Sequence, residues 1–244
     1  MTQIKLKIVL LLCATTIVKC IQAQSFNLGT WNILQAKYVH NGKLTSFAEA
    51  QIRSLSFYNQ FHYYEVKGGA EYTVNGAIKL ALGIGTYNTY PEGGNFKKPI
   101  ASAEIRVWPQ LVIQQTIGKI RVEQRYRTEL RYTNTGYRSR YRYRVGASIP
   151  FGKKVNQTQP FQFNLNSELF IGNKAPYFQR VRTTAALAYH YTKRTTLQLG
   201  YVHQFDYRIN DETGRNFMQV GVFFTYKNKK KVQTVPYMPN SNEE

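Results

Sequence analysis

The sequence predicts an all-β chain, a transmembrane antiparallel up-and-down β-barrel of about 12 strands, with about 10 as the alternative, around a polar Arg/Glu-rich lumen. Three observations carry this reading. Charged residues recur at strand spacing, no segment carries a helical apolar stripe, and tight turns interleave with longer polar loops. From Arg121 to Arg144 the charges fall on one parity: Arg121, Glu123, Arg125, Arg127, Glu129 and Arg131, then Arg138, Arg140, Arg142 and Arg144. Val122, Tyr126, Leu130, Tyr141, Tyr143 and Val145 occupy the other parity. A helix turning 100° per residue would scatter both sets around its circumference, whereas a strand places them on opposite faces.

The N-terminus favours export. Lys5 and Lys7 precede an apolar run from Ile8 to Val18, and Ile21-Gln22-Ala23 offers a cleavage site before Gln24. The run is shorter than the roughly 20 apolar residues a spanning helix needs, so residues 1–23 read as a signal peptide. Cys13 and Cys20 both lie within it and lack the flanking pattern of an acylated lipoprotein cysteine. The mature chain is then free of cysteine, which excludes disulfides, Cys metal sites and thiol nucleophiles. Removal of Lys5, Lys7 and Lys19 with that segment lowers the formal charge from +20 to +17. Such a charge suits phosphate-bearing partners, and export argues against nucleic acid.

The strands follow in order. A poorly patterned segment near Trp31 to Val39 precedes Asn41-Gly42, a two-residue hairpin signal because both residues tolerate positive φ. Asn75-Gly76 is a second such signal. Between them Glu49, Gln51 and Arg53 alternate with Ala48, Ala50 and Ile52, and Glu65, Lys67 and Glu71 oppose Tyr64, Val66, Ala70 and Tyr72. Ile78, Leu80, Leu82 and Ile84 share one face; Lys79, Ala81, Gly83 and Gly85 share the other, whose small members leave room for a long neighbour. Glu104 and Arg106 alternate with Ala103, Ile105 and Val107, and Pro109 suggests a bulge or strand margin.

Beyond the arginine ladders, Asn164, Asn166 and Glu168 oppose Phe163, Leu165 and Leu169, and Arg180 and Arg182 alternate with Val181 and Thr183. Leu197, Leu199, Tyr201, Phe205 and Tyr207 oppose Gln198, Gly200, Gln204, Asp206 and Arg208. The final strand turns Met218, Val220, Val222, Phe224 and Tyr226 outward. These segments number eleven. Because single-chain bacterial barrels are normally even, residues 24–40 are assigned two short strands. The barrel therefore spans 24–226, and residues 227–244 read as a basic, disordered tail that leaves the terminal aromatic, Tyr226, as an internal signal for the barrel-assembly machinery.

An Arg facing lipid at the bilayer midplane would cost about 2–4 kcal/mol, so the ladders are expected to face the lumen. The expected ionic lattice comprises Glu49, Arg53, Glu104, Arg106, Arg121, Glu123, Arg125, Arg127, Glu129, Arg131, Arg138, Arg140, Arg142, Arg144, Glu168, Arg180, Arg182 and Asp206. With Lys67, Lys79, Arg208, Glu65 and Glu71 added, the lumen holds 15 cations against eight anions. Carboxylates can pair with only part of that excess, which leaves room for an anionic solute or lipopolysaccharide phosphates. A barrel of this size falls between filled eight-stranded and open sixteen-stranded ones, so a narrow or blocked lumen is expected. The 35 aromatic residues suit girdles at the membrane surfaces.

Several motifs resemble the domain-of-unknown-function 2490 family: Glu104-x-Arg106-x-Trp108, Arg121-x-Glu123-Gln124-Arg125, Arg138-x-Arg140-Tyr141-Arg142, Glu168-x-Phe170, Gln179-Arg180-x-Arg182 and Leu199-Gly200-Tyr201. Ser167 stands where the family pattern has Asn. The resemblance implies an outer-membrane barrel of Bacteroidetes-type bacteria and supplies no catalytic residues, cofactor or metal. The expected protein is a monomeric, non-enzymatic component of the outer membrane.

Three alternatives remain: a small anion-selective channel, an outer-membrane acyl hydrolase or transferase, and a soluble periplasmic barrel. The enzyme would need a Ser–His pair, with His190 or His203 joined by Ser148, Ser167 or Asp206. The soluble barrel would turn the Leu197–Tyr207 and Met218–Tyr226 faces inward. Nucleic-acid stacking is disfavoured because Tyr126, Tyr141 and Tyr143 lie on the face opposite the arginines.

Overall fold

Alternation of this kind closes eleven strands into one barrel, seen in a computed structural model that describes residues 28–154, 159–207 and 213–228. The strands are β1 (Leu28–Val39), β2 (Leu44–Ser56), β3 (Asn59–Thr73), β4 (Ile78–Thr89), β5 (Ser102–Ile117), β6 (Ile120–Thr133), β7 (Gly136–Phe151), β8 (Phe161–Gly172), β9 (Phe178–His190), β10 (Thr195–Asp206) and β11 (Thr213–Lys227). The proposed signal segment, the residues from Lys229 onward and Arg208 lie outside the described residues.

The strand number corrects the expectation of twelve or ten. Within the described part of residues 24–40 there is one strand, β1, rather than two. Each strand pairs with its sequence neighbours in antiparallel fashion, and the ring closes through β1 and β11. An odd meander brings its first and last strands together running the same way, so this seam is parallel, with Leu28 opposite Asn216 and Val39 opposite Lys227. The barrel is thus not wholly antiparallel. Parallel pairing still satisfies the peptide groups and leaves no free edge.

Connections sort onto two ends as the chain reverses at each turn. One end carries the turns after β1, β3, β5, β7 and β9, and will be called the near mouth. The far mouth carries the remaining connections, including residues 90–101 between β4 and β5. The Asn-Gly sites make turns by another route than positive φ: neither Asn41, Gly42, Asn75 nor Gly76 adopts it. Instead Asn41 Oδ1 accepts from the Lys43 and Leu44 amides at 2.9 and 2.7 Å, and Asn75 Oδ1 from Ala77 and Ile78 at 2.9 and 2.8 Å. The side chain mimics a backbone turn. Thr192 Oγ1 does the same for Arg194 and Thr195.

Pro109 also differs from expectation. It lies inside β5, paired with Leu82 of β4, and the β5–β6 register is the same on either side of it: Val107 faces Leu130 and Gln110 faces Arg127. Its missing amide leaves a local gap in the ladder rather than a bulge. Bulges fall elsewhere: between β2 and β3, where Ser54 pairs with Phe61, Arg53 with Tyr63, and His62 is extra, and between β8 and β9, where Phe170 pairs with Arg180, Ile171 with Phe178, and Gln179 is extra.

The two faces differ sharply. Outward positions include Leu82, Ile84, Leu199 and Tyr141, which are 60, 56, 58 and 51% exposed. The Leu197, Leu199 and Tyr201 face points out, opposite to the orientation the soluble alternative requires. Inside, Gly83 makes room as its parity suggested. A Cβ there would come within 2.3 Å of the Trp108 indole, so only glycine admits that ring.

The seam can be tested by cross-linking. Leu34→Cys with Val222→Cys, aligned across β1 and β11, should form a disulfide seen as a mobility change on a non-reducing gel. Leu34→Cys with Val220→Cys should cross-link far less. Equal yields would contradict the register.

Candidate functional site

Eight strands give a barrel just wide enough for side chains to fill, and eleven give a wider one. Filling it takes long side chains reaching in from every wall. Arginine is suited to this, being weakly hydrated for a cation, permanently charged, and able to bind a carboxylate through two parallel N–H groups. The inward parity of β5 to β9 is accordingly rich in guanidinium.

Two buried carboxylates organise it. Glu129 on β6 sits beside the Pro109 gap and is 0% exposed. Its Oε2 accepts from Arg140 Nη2 at 2.6 Å and Nε at 2.9 Å, and its Oε1 from Arg142 Nη1 at 2.5 Å. Arg106 and Arg127 approach to 3.8 and 4.0 Å. Glu168 on β8 receives Arg142 through Nε and Nη2, both at 2.9 Å, and Arg125 through a short bond, with Arg182 at 3.9 Å. Arg142 therefore bridges the two carboxylates.

The network continues around the wall. Glu104 accepts from Arg131 at 2.7 and 2.9 Å and from Arg106 at 2.8 Å. Asp206 pairs with Arg180. Glu65 holds Lys67 at 2.5 Å, Arg53 at 3.3 Å and the Tyr63 hydroxyl. Glu49 pairs with Lys67 at 2.7 Å, not with Arg53, its neighbour on β2. Arg144 pairs with Glu123 at 2.5 Å toward the near mouth. Arg121 and Arg138, exposed at the near and far mouths, make no ion pair with a described residue. Hence sixteen of the eighteen lattice residues join ion pairs, and these two do not.

Parity reasoning about charge missed the aromatic pillars between these groups. Phe170 is 1% exposed, with the guanidinium carbons of Arg140, Arg142, Arg180 and Arg182 at 4.5–5.6 Å from its ring centre. Trp31 lies between Arg53 at 3.5 Å and Arg182 at 4.6 Å, and its indole N–H donates to Gln51 at 2.8 Å. Arg106 covers Tyr87 at 3.8 Å. Cation–π attraction offsets like-charge repulsion where carboxylates run short. A signal was available, since Trp108 shares parity with Glu104 and Arg106, and Phe170 with Glu168. Assignment of the aromatic residues to surface girdles obscured it.

These groups form a belt across the half of the lumen toward the far mouth. Trp108, Phe170 and Glu129 are essentially inaccessible within it. Toward the near mouth the lumen opens into a vestibule of about 570 Å³, bordered by Lys37, Glu49, Arg121, Glu123, Arg144, Asn164, Asn166 and Gln198, with Trp31, Trp108 and Glu168 at its floor. Lys37 belongs to the weakly patterned β1 and was not among the expected lumen residues.

The Ser–His groupings that the enzyme alternative would need do not assemble among the described residues. His203 faces outward and bonds Asn216 at 2.8 Å, Ser167 faces Thr183, and Asp206 is inside with Arg180. His190 bonds Thr196 at 3.0 Å and borders, with Ser148, a hollow at the near mouth without a hydrogen bond between them. His40 and Ser46 are 2.6 Å apart at the near end of β1 and β2, with no described carboxylate to orient the imidazole. No helix among the described residues is long and apolar enough to cross a membrane.

Residues 28–215 match the family described as Protein of unknown function (DUF2490), a span that includes the belt strands. The chain belongs to this family. DUF2490 here is a closed β-barrel with an ionic interior. No curated protein matches the chain.

Glu129→Gln should weaken the fold by about 3–5 kcal/mol, because removing one partner leaves buried guanidinium groups unpaired. Urea denaturation of the refolded protein measures this. Arg138→Gln, at an exposed mouth position, should shift the midpoint little. Equal shifts for both variants would deny the belt its structural role.

Proposed function

We propose that this DUF2490 protein is an integral outer-membrane β-barrel whose lumen is blocked to ion flow by the Arg–Glu belt. One observation carries the reading: apolar and aromatic side chains occupy the outer face of the sheet while the charges are paired inside. That polarity is the reverse of a water-soluble barrel. In hydrocarbon every peptide group must be paired within the protein, and the closed ring meets that condition. The strands, 12–16 residues long, exceed the roughly 9–11 residues that cross a bilayer.

Tyrosines near strand ends fit the two interfaces. Tyr132 and Tyr137 stand 5.4 Å apart beside the β6–β7 turn at the far mouth, and Tyr38 and Tyr226 lie at the near one. Such rings suit a level where an apolar body and a wet hydroxyl are both satisfied. The excess of basic residues offers lipopolysaccharide phosphates a partner at the rim.

The belt supports a silent rather than a conducting barrel. Its buried pairs tie β5 to β9 together and reach β1 through Arg182 and Trp31. A structural or anion-binding role follows.

Fractionation should leave the protein in the sarkosyl-insoluble outer-membrane pellet, with a mobility that shifts on boiling. In planar bilayers the purified protein should give no reproducible conductance steps. Recovery in the soluble periplasmic fraction would reject the membrane reading, and regular, anion-selective steps would reject the blocked lumen in favour of a channel.

A further inference from the structure

Cations outnumber carboxylates in the belt and in the vestibule alike, but aromatic rings cover guanidinium groups of the belt, whereas the excess in the vestibule opens to solvent. Nine cations border the vestibule against four carboxylates, Glu49, Glu71, Glu123 and Glu168. The imbalance is sharpest on the β6–β7 wall. Arg125 and Arg144 face each other directly across that pair, as do Arg127 and Arg142, an arrangement that is repulsive unless an anion intervenes. Arg125 is held from the floor by Glu168 and Arg144 from the rim by Glu123. Arg121, on the same face of β6, has no ionic partner among the described residues and is exposed to the opening.

The adjoining wall, which runs on from β7, has a different chemistry. Strands β8 and β10 present amides, with Asn164 donating to Gln198 at 3.4 Å and Gln198 to Gln219 at 2.8 Å. Asn166 lines the cavity with no side-chain hydrogen bond among the described residues. Amides carry both donors and acceptors and suit hydroxyl groups. Most small-molecule pockets of about 300–1,000 Å³ are lined chiefly by apolar groups. This one, at about 570 Å³, is lined mostly by polar groups, guanidinium, ammonium, amide and fewer carboxylates, with Trp31, Phe47, Trp108 and Phe223 among its apolar members. Its complement is hydrophilic, negatively charged and rich in hydroxyls.

Access narrows the class further. The wall is paired strand to strand all the way round, so a headgroup still attached to its lipid cannot enter from the side. With the belt as floor, entry is from the near mouth alone. We propose that the vestibule is a binding site for a small soluble anionic sugar, phosphorylated or carboxylated, whose charge sits among Arg121, Arg125 and Arg144 and whose hydroxyls meet Asn164, Asn166 and Gln198. The site rests on the blocked lumen proposed above and is independent of where the barrel resides.

The test is calorimetric titration of the full mature protein, refolded in detergent, with glucose 6-phosphate, glucuronate, glucose and inorganic phosphate. One of the anionic sugars should bind saturably, at least about tenfold more tightly than glucose or inorganic phosphate. Arg121→Gln and Arg144→Gln should each weaken it about tenfold or more. Arg138→Gln, at the far mouth, should leave it unchanged. Arg121 has no ion pair to lose among the described residues, so its variant separates binding from folding, and the heat-dependent gel shift verifies each barrel. Absence of saturable binding to protein that still shifts, indifference to the Arg121 and Arg144 changes, or equal affinity for inorganic phosphate would each overturn the assignment. Conductance measured in parallel keeps the two proposals apart: a conducting barrel that binds loses only its seal, and a silent barrel that does not bind loses only its site.

Discussion

Sharing of two buried carboxylates among several guanidinium groups is the interaction on which this molecule turns. Glu129 and Glu168 each hold more than one arginine, and Arg142 joins them. Taking such charges out of water costs several kcal/mol per ion, and the cost is met only where geometry is good and remaining donors find acceptors. Some of the remaining donors go to Gln110, which takes two bonds from Arg127 at 2.6 and 2.9 Å, and to Gln204, which takes Arg182 at 2.8 Å, while Arg53 Nε and Arg125 Nε have no acceptor among the described residues. Aromatic rings cover several of the guanidinium groups. The arrangement fixes which rung of each strand faces which, since a slip of one residue would turn every charge to the apolar side.

Closure and filling depend on one another. A ring of eleven strands is too wide for short residues to fill, and its parallel seam has no hairpin to hold β1 against β11. Trp31 addresses both. It projects from β1 into the lumen, packs edge-on against Phe217 of β11 at 5.9 Å, and stacks with arginines of β2 and β9. Val202 completes this apolar patch behind the seam. The seam is therefore secured from inside by packing as well as by its ladder. Glycine at 83 plays a matching part on the far wall by yielding its volume to Trp108.

The division of the lumen into a dense half and an open half follows from side-chain size along each strand. Toward the far mouth large groups predominate among the inward positions, among them Arg53, Arg106, Arg140, Trp108, Phe170, Tyr87 and Glu129. Toward the near mouth, β4 offers Ala81, β7 offers Gly146 and Ser148, β8 and β10 offer Asn and Gln, and β9 offers Thr184 and Ala186. Smaller groups leave the vestibule, and the same residues that open it give it amide rather than ionic character on one wall. A barrel that is firm in the belt can thus keep a solvated recess without weakening its closure.

Much of this was legible from period alone. Two-residue alternation identified the sheet and sorted the ladder arginines, Glu104, Glu123, Glu129 and Glu168 onto one face, because a pleated strand leaves side chains no other choice. The family followed from the same motifs. Pattern alone counted eleven segments, the observed number; the expectation of twelve came from evenness, a habit of barrels rather than a law, and no local pattern encodes that the ends meet in parallel. Parity placed Trp108 and Phe170 inside as well, but spacing could not tell which arginine each carboxylate holds or that Glu49 turns to Lys67. Those outcomes depend on stagger between strands distant in sequence, and stagger exists only once the ring has closed.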